Sequence, residues 1–200
     1  MRETLGKKGG EVLLLFLSFL GLYFFAYRRA QFFRVPSASM QPTLLIGDQI
    51  VTVREPSYGR GDIVVLRDPQ DRQSYIVKRI AAVGGDTVFI TGGALYVNGA
   101  YVSEPYVSEP PDYLMKPYTV PEACIFLLGD NRNDSDDSHL WEEKARPLSD
   151  ITGKVRFIYY PYDRAGFISG YPPVTAGRSD QPIAYSLDPS VARRHAESVE

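Results

Sequence analysis

Residues 12 to 27, VLLLFLSFLGLYFFAY, place sixteen side chains in a row without a charge, and this run restricts the fold more than any other stretch. A surface helix needs a polar face, which this run lacks, and a domain drawn from 200 residues has too small a core to enclose it. As a helix it covers ~24 Å at ~1.5 Å per residue, against a hydrocarbon layer of ~30 Å. Arg28 and Arg29 can snorkel, and Phe32 and Phe33 suit the interface beyond them. The reading is a transmembrane anchor over residues 11–30 behind a short N-terminus, 1–10. Arg2, Lys7 and Lys8 would also suit a cleaved secretory leader, but the run ends in AYRRAQFF with no small-x-small site. Three basic residues precede the run and Arg28, Arg29 and Arg34 follow it, so charge bias does not set the orientation.

From residue 34 to about 168 the pattern changes to short β-branched and aromatic runs: QIVTV, DIVVL, SYIVKRIAAV, DTVFI, ALYVNGAYV, CIFLLG and KVRFIYY. Turn signals separate them, with Asn98-Gly99 a strong hairpin pair. No long amphipathic helical pattern intervenes. The expected class is therefore mainly β, antiparallel sheets or a partly closed barrel over residues 34–169, with one N-terminal transmembrane helix. EPYVSEPPDYLMKP is too rich in proline for a central strand and reads as a surface excursion. Residues 170–200 read as a Pro-rich, charged, weakly ordered tail. A net charge of −2 leaves no cationic excess for phosphates, which argues against a nucleic-acid partner. The single cysteine, Cys124, sits in an apolar run and has no internal disulfide partner.

Chemistry has few possible carriers. A Ser/His/Asp triad would depend on His139 beside Asp136 and Asp137, since His195 lies in the tail, and no GxSxG elbow accompanies it. Two distant histidines and one cysteine do not make a zinc site. Asn131, Asn133, Ser135 and Glu142 fall at calcium-loop positions, but Asp136 stands where the sharp turn wants glycine and no amphipathic helix flanks the loop. A lysine can also activate a nucleophile, if burial lowers its pKa. Lys78 interrupts the apolar strand YIVKRIAAV, and alternation puts Ile76, Lys78 and Ile80 on one face, with Val77 and Arg79 on the other. Moving a lysine from about 10.4 to about 8 amounts to ~3 kcal/mol. On strand pattern alone, a snorkelling lysine on an edge strand remains the plainer alternative.

PSASMQPTLLIGD, then GDIVVL, YIVKRI, VGGDTV, LYVNG and GDNR..S.DS, in this order, closely resemble the type I signal peptidases, membrane-anchored Ser/Lys endopeptidases that remove signal peptides from exported proteins. The resemblance spans about residues 10 to 168. It implies Ser39 as nucleophile and Lys78 as general base, with an oxyanion hole formed by the Ser39 backbone N–H and the Ser37 hydroxyl. It also implies that Ser135 orients the lysine, and that Asp137, Asp130 and Arg79 brace the site. The usual GDNRDNS reads GDNRNDS here, with Asn133 and Asp134 exchanged, His139 stands where arginine usually follows DS, and AAVGGD replaces the usual GLPGD turn. The family further implies no cofactor or metal and a catalytic domain on the extracytoplasmic side of the plasma membrane; the oligomeric state is not set by the sequence, a monomer being the expectation. Its substrates are preproteins with Ala-x-Ala-like sites, bound by strand addition. Two alternatives stand beside it: a self-cleaving Ser/Lys protease, disfavoured by the apolar run and the lack of a helix-turn-helix segment, and an inactive anchored module that binds exported proteins.

Overall fold

The computed structural model describes residues 11–12, 14–21, 30–71 and 73–168. The expectations for residues 1–10 and for the tail 170–200 lie outside the described residues, as does the part of the anchor reading that falls on 22–29. Residues 11–12 and 14–21 are helical, with Leu14, Leu15, Phe16 and Phe19 exposed. Among the described residues no helix is long and apolar enough to cross a membrane.

The rest is built from strands: β1 (Ala30–Arg34), β2 (Gln49–Val53), β3 (Ile63–Arg67), β4 (Tyr75–Val83), β5 (Thr87–Thr91), β6 (Ala94–Val97), β7 (Ala100–Tyr101), β8 (Met115–Thr119), β9 (Cys124–Leu128), β10 (Ala145–Pro147), β11 (Ile151–Tyr160) and β12 (Gly166–Phe167). One sheet runs β1-β2-β11-β3-β4-β9-β10, with β12 added to β11, and a second runs β7-β6-β5-β8. Every pairing is antiparallel. The class agrees with the sequence pattern, as a curled sheet with free ends at β1 and β10. Curling is concentrated on β11, whose first half pairs with β3 and whose second half pairs with β2 through two register shifts. Such shifts bend a strand and increase its twist.

Burial alternates as the strand period requires. Ile63 and Val65 of β3 enter one apolar cluster with Val77, Val155 and Ile158, while Val64 and Leu66 enter another with Ile80, Ile125, Leu127 and Trp141. A third cluster fills the space under the second sheet, from Val88, Ile90, Leu95, Val97 and Phe126. Asn98 and Gly99 both have positive φ, 54° and 78°, and form the hairpin turn between β6 and β7. Two segments depart from the sequence reading. Ala30–Arg34, the last residue of the anchor reading and the interface residues beyond it, is an edge strand. The end of the proline-rich excursion is β8, an edge strand whose Pro117 falls at a register shift against β5, where no ladder donor is required.

Candidate active site

Two elements bring the polar residues together. β4 is central, paired with β3 and β9, so Lys78 lies opposite Val64 and shares a face with Ile76 and Ile80. Its side chain is only 3% exposed, which sets aside the snorkelling edge-strand alternative. The other element is the turn that follows β1. Val35, Met40 and Leu44 are buried in one apolar cluster, Gln41 N–H donates to the Ala38 carbonyl at 2.9 Å, and Leu44 N–H to the Met40 carbonyl at 2.9 Å. These apolar pegs hold Ser37, Ala38 and Ser39 at the surface between them.

Ser37, Ser39, Lys78 and Ser135 line one cavity of about 390 Å3, walled also by Ala38, Ile76 and Trp141. The Ser37 and Ser39 hydroxyl oxygens are 3.3 Å apart. Lys78 Nζ donates to Ser135 Oγ at 3.0 Å, and Ser135 donates its own proton to Asp137 Oδ2 at 2.7 Å. A hydroxyl has one proton, so Asp137 makes the serine oxygen an acceptor towards the lysine. Burial pushes the Lys78 ammonium below the ordinary lysine value, against the opposing pull of Asp137, Asp136, Asp68 and Asp130.

Asp137 is fixed on both oxygens. Oδ2 also accepts from Gly129 N–H at 2.8 Å, and Oδ1 lies 2.6 Å from His139 Nδ1. Asp130 and Arg79 stand behind the cavity as a buried pair, joined by Nε to Oδ1 at 2.8 Å and Nη2 to Oδ2 at 2.7 Å. Burial opposes the Arg79 charge, but hydrogen bonding and charge attraction from Asp130 prevail and raise its pKa. Thr43 Oγ1 donates to Asp130 at 2.5 Å.

The sequence motifs point to this set without showing what joins it. Asn131 does so: its backbone N–H donates to the Ser39 carbonyl at 3.1 Å and its side-chain amide to the Ala38 carbonyl at 3.3 Å. Gly129 is the second unmarked residue, since a Cβ there would overlap Ser135 and the Ser39 carbonyl oxygen. Both lie inside the GDNR stretch, so the signal was present as a motif but not as a contact. Glu104 and Tyr113 reach the same loop from the proline-rich stretch, and Tyr106 reaches Arg79 on β4; none carries a sequence signal for it.

The family described as signal peptidase, peptidase S26, matches residues 10–160. The chain is similar to a probable signal peptidase I-1 of Synechocystis sp., 36% identical over 149 residues, covering 68% of this chain and 74% of that protein. It is 38% identical over 152 residues to a signal peptidase I of Leptolyngbya laminosa, covering 70% of this chain and 72% of that one. To a probable thylakoidal processing peptidase 2 of Arabidopsis thaliana it is 36% identical over 156 residues, covering 72% of this chain and 42% of that one.

Proposed function

The chain belongs to the signal peptidase family, peptidase S26, and from that membership we propose that it cleaves signal peptides by a Ser39 nucleophile and a Lys78 general base. The observation that carries the reading is a lysine buried in an apolar strand, its pKa lowered by that burial, lining the same cavity as Ser39. A neutral Lys78 can donate one N–H to Ser135 and keep its lone pair for the Ser39 proton.

Ser39 Oγ then attacks the scissile carbonyl carbon as its proton passes to Lys78. The developing oxyanion is met by the Ser39 N–H and the Ser37 hydroxyl, and Lys78 returns the proton to the departing amine. Lys78 next takes a proton from water, whose oxygen attacks the acyl carbon, and as the ester C–Oγ bond breaks Lys78 gives that proton to Ser39 Oγ. Arg79, Asp130 and Asp137 support this geometry from behind. Ala38, Ile76 and Trp141 leave room for small side chains, in keeping with Ala-x-Ala sites in preproteins.

Residues 11–30 serve as a single membrane anchor, with the β domain at 34–169 on the extracytoplasmic face of the plasma membrane. Supporting this reading, Phe32 is exposed on β1, and Tyr162 and Phe167, in the turn after β11 and on β12 of the same sheet, are 84% and 86% exposed. Aromatic rings of this kind suit the headgroup region.

The test is cleavage of a preprotein by the detergent-solubilised chain and by its Ser39→Ala and Lys78→Ala variants. Wild type cuts after a small residue, and both variants are inactive. Full activity in Lys78→Ala would remove the dyad assignment.

A further inference from the structure

Residues 102–114, between β7 and β8, form no regular element, yet they grip the loop after β9 repeatedly. Glu104 receives Arg132 Nη1 and Nη2 at 2.6 Å each, and the Tyr106 hydroxyl at 2.6 Å. Tyr106 lays its ring against the Arg79 guanidinium, 3.8 Å from centroid to Cζ. Asn133 accepts from the Asp112 N–H at 2.9 Å and donates to the Pro110 carbonyl at 3.1 Å. Tyr113 stacks on His139 with ring centres 4.0 Å apart.

Three of the gripped residues bond onward to Gly129, Asp130 and Asp137, which stand one step behind the residues lining the cavity. Arg132 Nε donates to the Gly129 carbonyl at 3.0 Å, Arg79 holds Asp130, and His139 lies against Asp137. The same loop, on its other side, holds the Ser39 carbonyl through Asn131, Thr43 through Asp130, and Lys78 through Ser135. It is thus a single layer of chain between this segment and the cavity.

The bonding is not what a surface covering needs. The Glu104 and Arg132 side chains are 9% and 1% exposed, and a buried ion pair is a poor source of net stability but a good definer of position. Pro105, Pro110 and Pro111 limit the freedom the segment must lose to stay in place. Asn133, which stands where the family usually has aspartate, can make both of its bonds only as an amide.

We propose that residues 104–113 are a positioning strap for the reaction centre, with Glu104 and Tyr106 acting through Arg132 and Arg79 on the turn 129–132. The proposal rests on the Ser39/Lys78 reading. In that scheme the strap sets where Ser39 and Ser135 stand relative to Lys78 without touching substrate.

The test measures kcat, KM, the pH profile and thermal unfolding of the full solubilised chain with a preprotein carrying an Ala-x-Ala site. Glu104→Gln and Tyr106→Leu are expected to lower kcat by about 10- to 100-fold with KM within about twofold, since a shift of ~1 Å at a reacting centre is that costly. The acid limb of kcat/KM moves to higher pH, because a loosened loop admits water to Lys78. Tyr106→Phe, which keeps the ring over Arg79, retains most of the wild-type kcat. Folded Glu104→Gln and Tyr106→Leu proteins with wild-type kcat, or with only KM changed, overturn the proposal. If both fail to fold, exposed Asn133→Ala decides: an unchanged kcat overturns the strap, and a loss of about threefold at unchanged melting temperature supports it. Ser39→Ala runs alongside. Activity in that variant defeats the nucleophile reading, and the strap falls with it, whereas an inactive Ser39→Ala beside fully active strap variants defeats the strap alone.

Discussion

A single methyl group at position 129 should separate catalysis from stability. Gly129 lies outside the left-handed region, so alanine is conformationally permitted, but its Cβ would come 2.6 Å from Ser135 Cβ and still closer to Ser135 Oγ and the Ser39 carbonyl oxygen. That is 0.8 Å short of the 3.4 Å at which ordinary contact begins. The wedge therefore pushes Ser135 and the Ser39 backbone apart by nearly an ångström. A displacement of this size costs on the order of 10²-fold in kcat, or ~2.7 kcal/mol of barrier. Overpacking costs ~1–3 kcal/mol of stability, offset in part by ~0.4–1 kcal/mol from the stiffer unfolded chain. The melting temperature should fall by no more than roughly 10 °C, at ~2–4 °C per kcal/mol. Gly153→Ala is the control, because its Cβ would meet Thr52 Oγ1 at 2.9 Å and Gly153 does not line the cavity. Initial rates of preprotein cleavage, read beside thermal unfolding, give both quantities. A Gly129→Ala protein whose kcat stays within about threefold of wild type would refute the close coupling of Ser39 and Ser135 drawn above.

Lys78→Met should abolish cleavage yet raise the melting temperature below neutral pH. Because burial lowers the folded pKa of Lys78, wild-type stability rises with pH from that lowered value up to the unfolded value near ~10.4, so the gap between the two proteins should narrow over that window. Unfolding at pH 6 and pH 10 tests the sign, and a gap that widens with pH refutes it. His139→Arg puts a permanent cation beside Asp137 where an imidazole now stands 2.6 Å away. The imidazole stacked on Tyr113 is lost at the same time, so kcat for preprotein cleavage should fall, and an unchanged kcat would refute a positioning role for His139. Ser37→Ala removes the hydroxyl 3.3 Å from Ser39 Oγ and should cost ~10²-fold in kcat with KM nearly unchanged. A rise in KM alone would make Ser37 a substrate contact instead.

The face of Lys78 was readable because strand period is fixed: once YIVKRIAAV was taken as a strand, its face followed, and Ile80 and Val77 do enter different clusters, whereas its burial was not, since pattern alone favoured a snorkelling lysine on an edge strand. The run IVVL was likewise read as a strand, and the structure covers it on both sides, with Ile63 and Val65 in one cluster and Val64 and Leu66 in another. What joins the site was not readable, because it depends on contacts between distant parts of the chain. Asn131 meets Ala38 across 93 positions, and neither residue type announces the other. The proline-rich stretch misled in a particular way. Pro105, Pro110 and Pro111 do keep residues 102–114 out of any sheet, but the absence of regular structure says nothing about charge burial, and Glu104 looks in sequence like any solvent-facing acid. Pro117 shows the converse, being accommodated in β8 because an edge strand at a register shift needs no donor there.

Trp141 is the chain's only tryptophan, and it is buried against Ile80, Ile125 and Leu127 while lining the cavity that holds Ser39. Its emission therefore comes entirely from the wall of that cavity, with no second indole to dilute it. In the proposed mechanism, arrival of a peptide, formation of the acyl-enzyme and release of product should each change the water around that one ring. The molecule thus contains its own optical clock for separating those three steps in a stopped-flow trace, without a dye, a tag or a substituted residue.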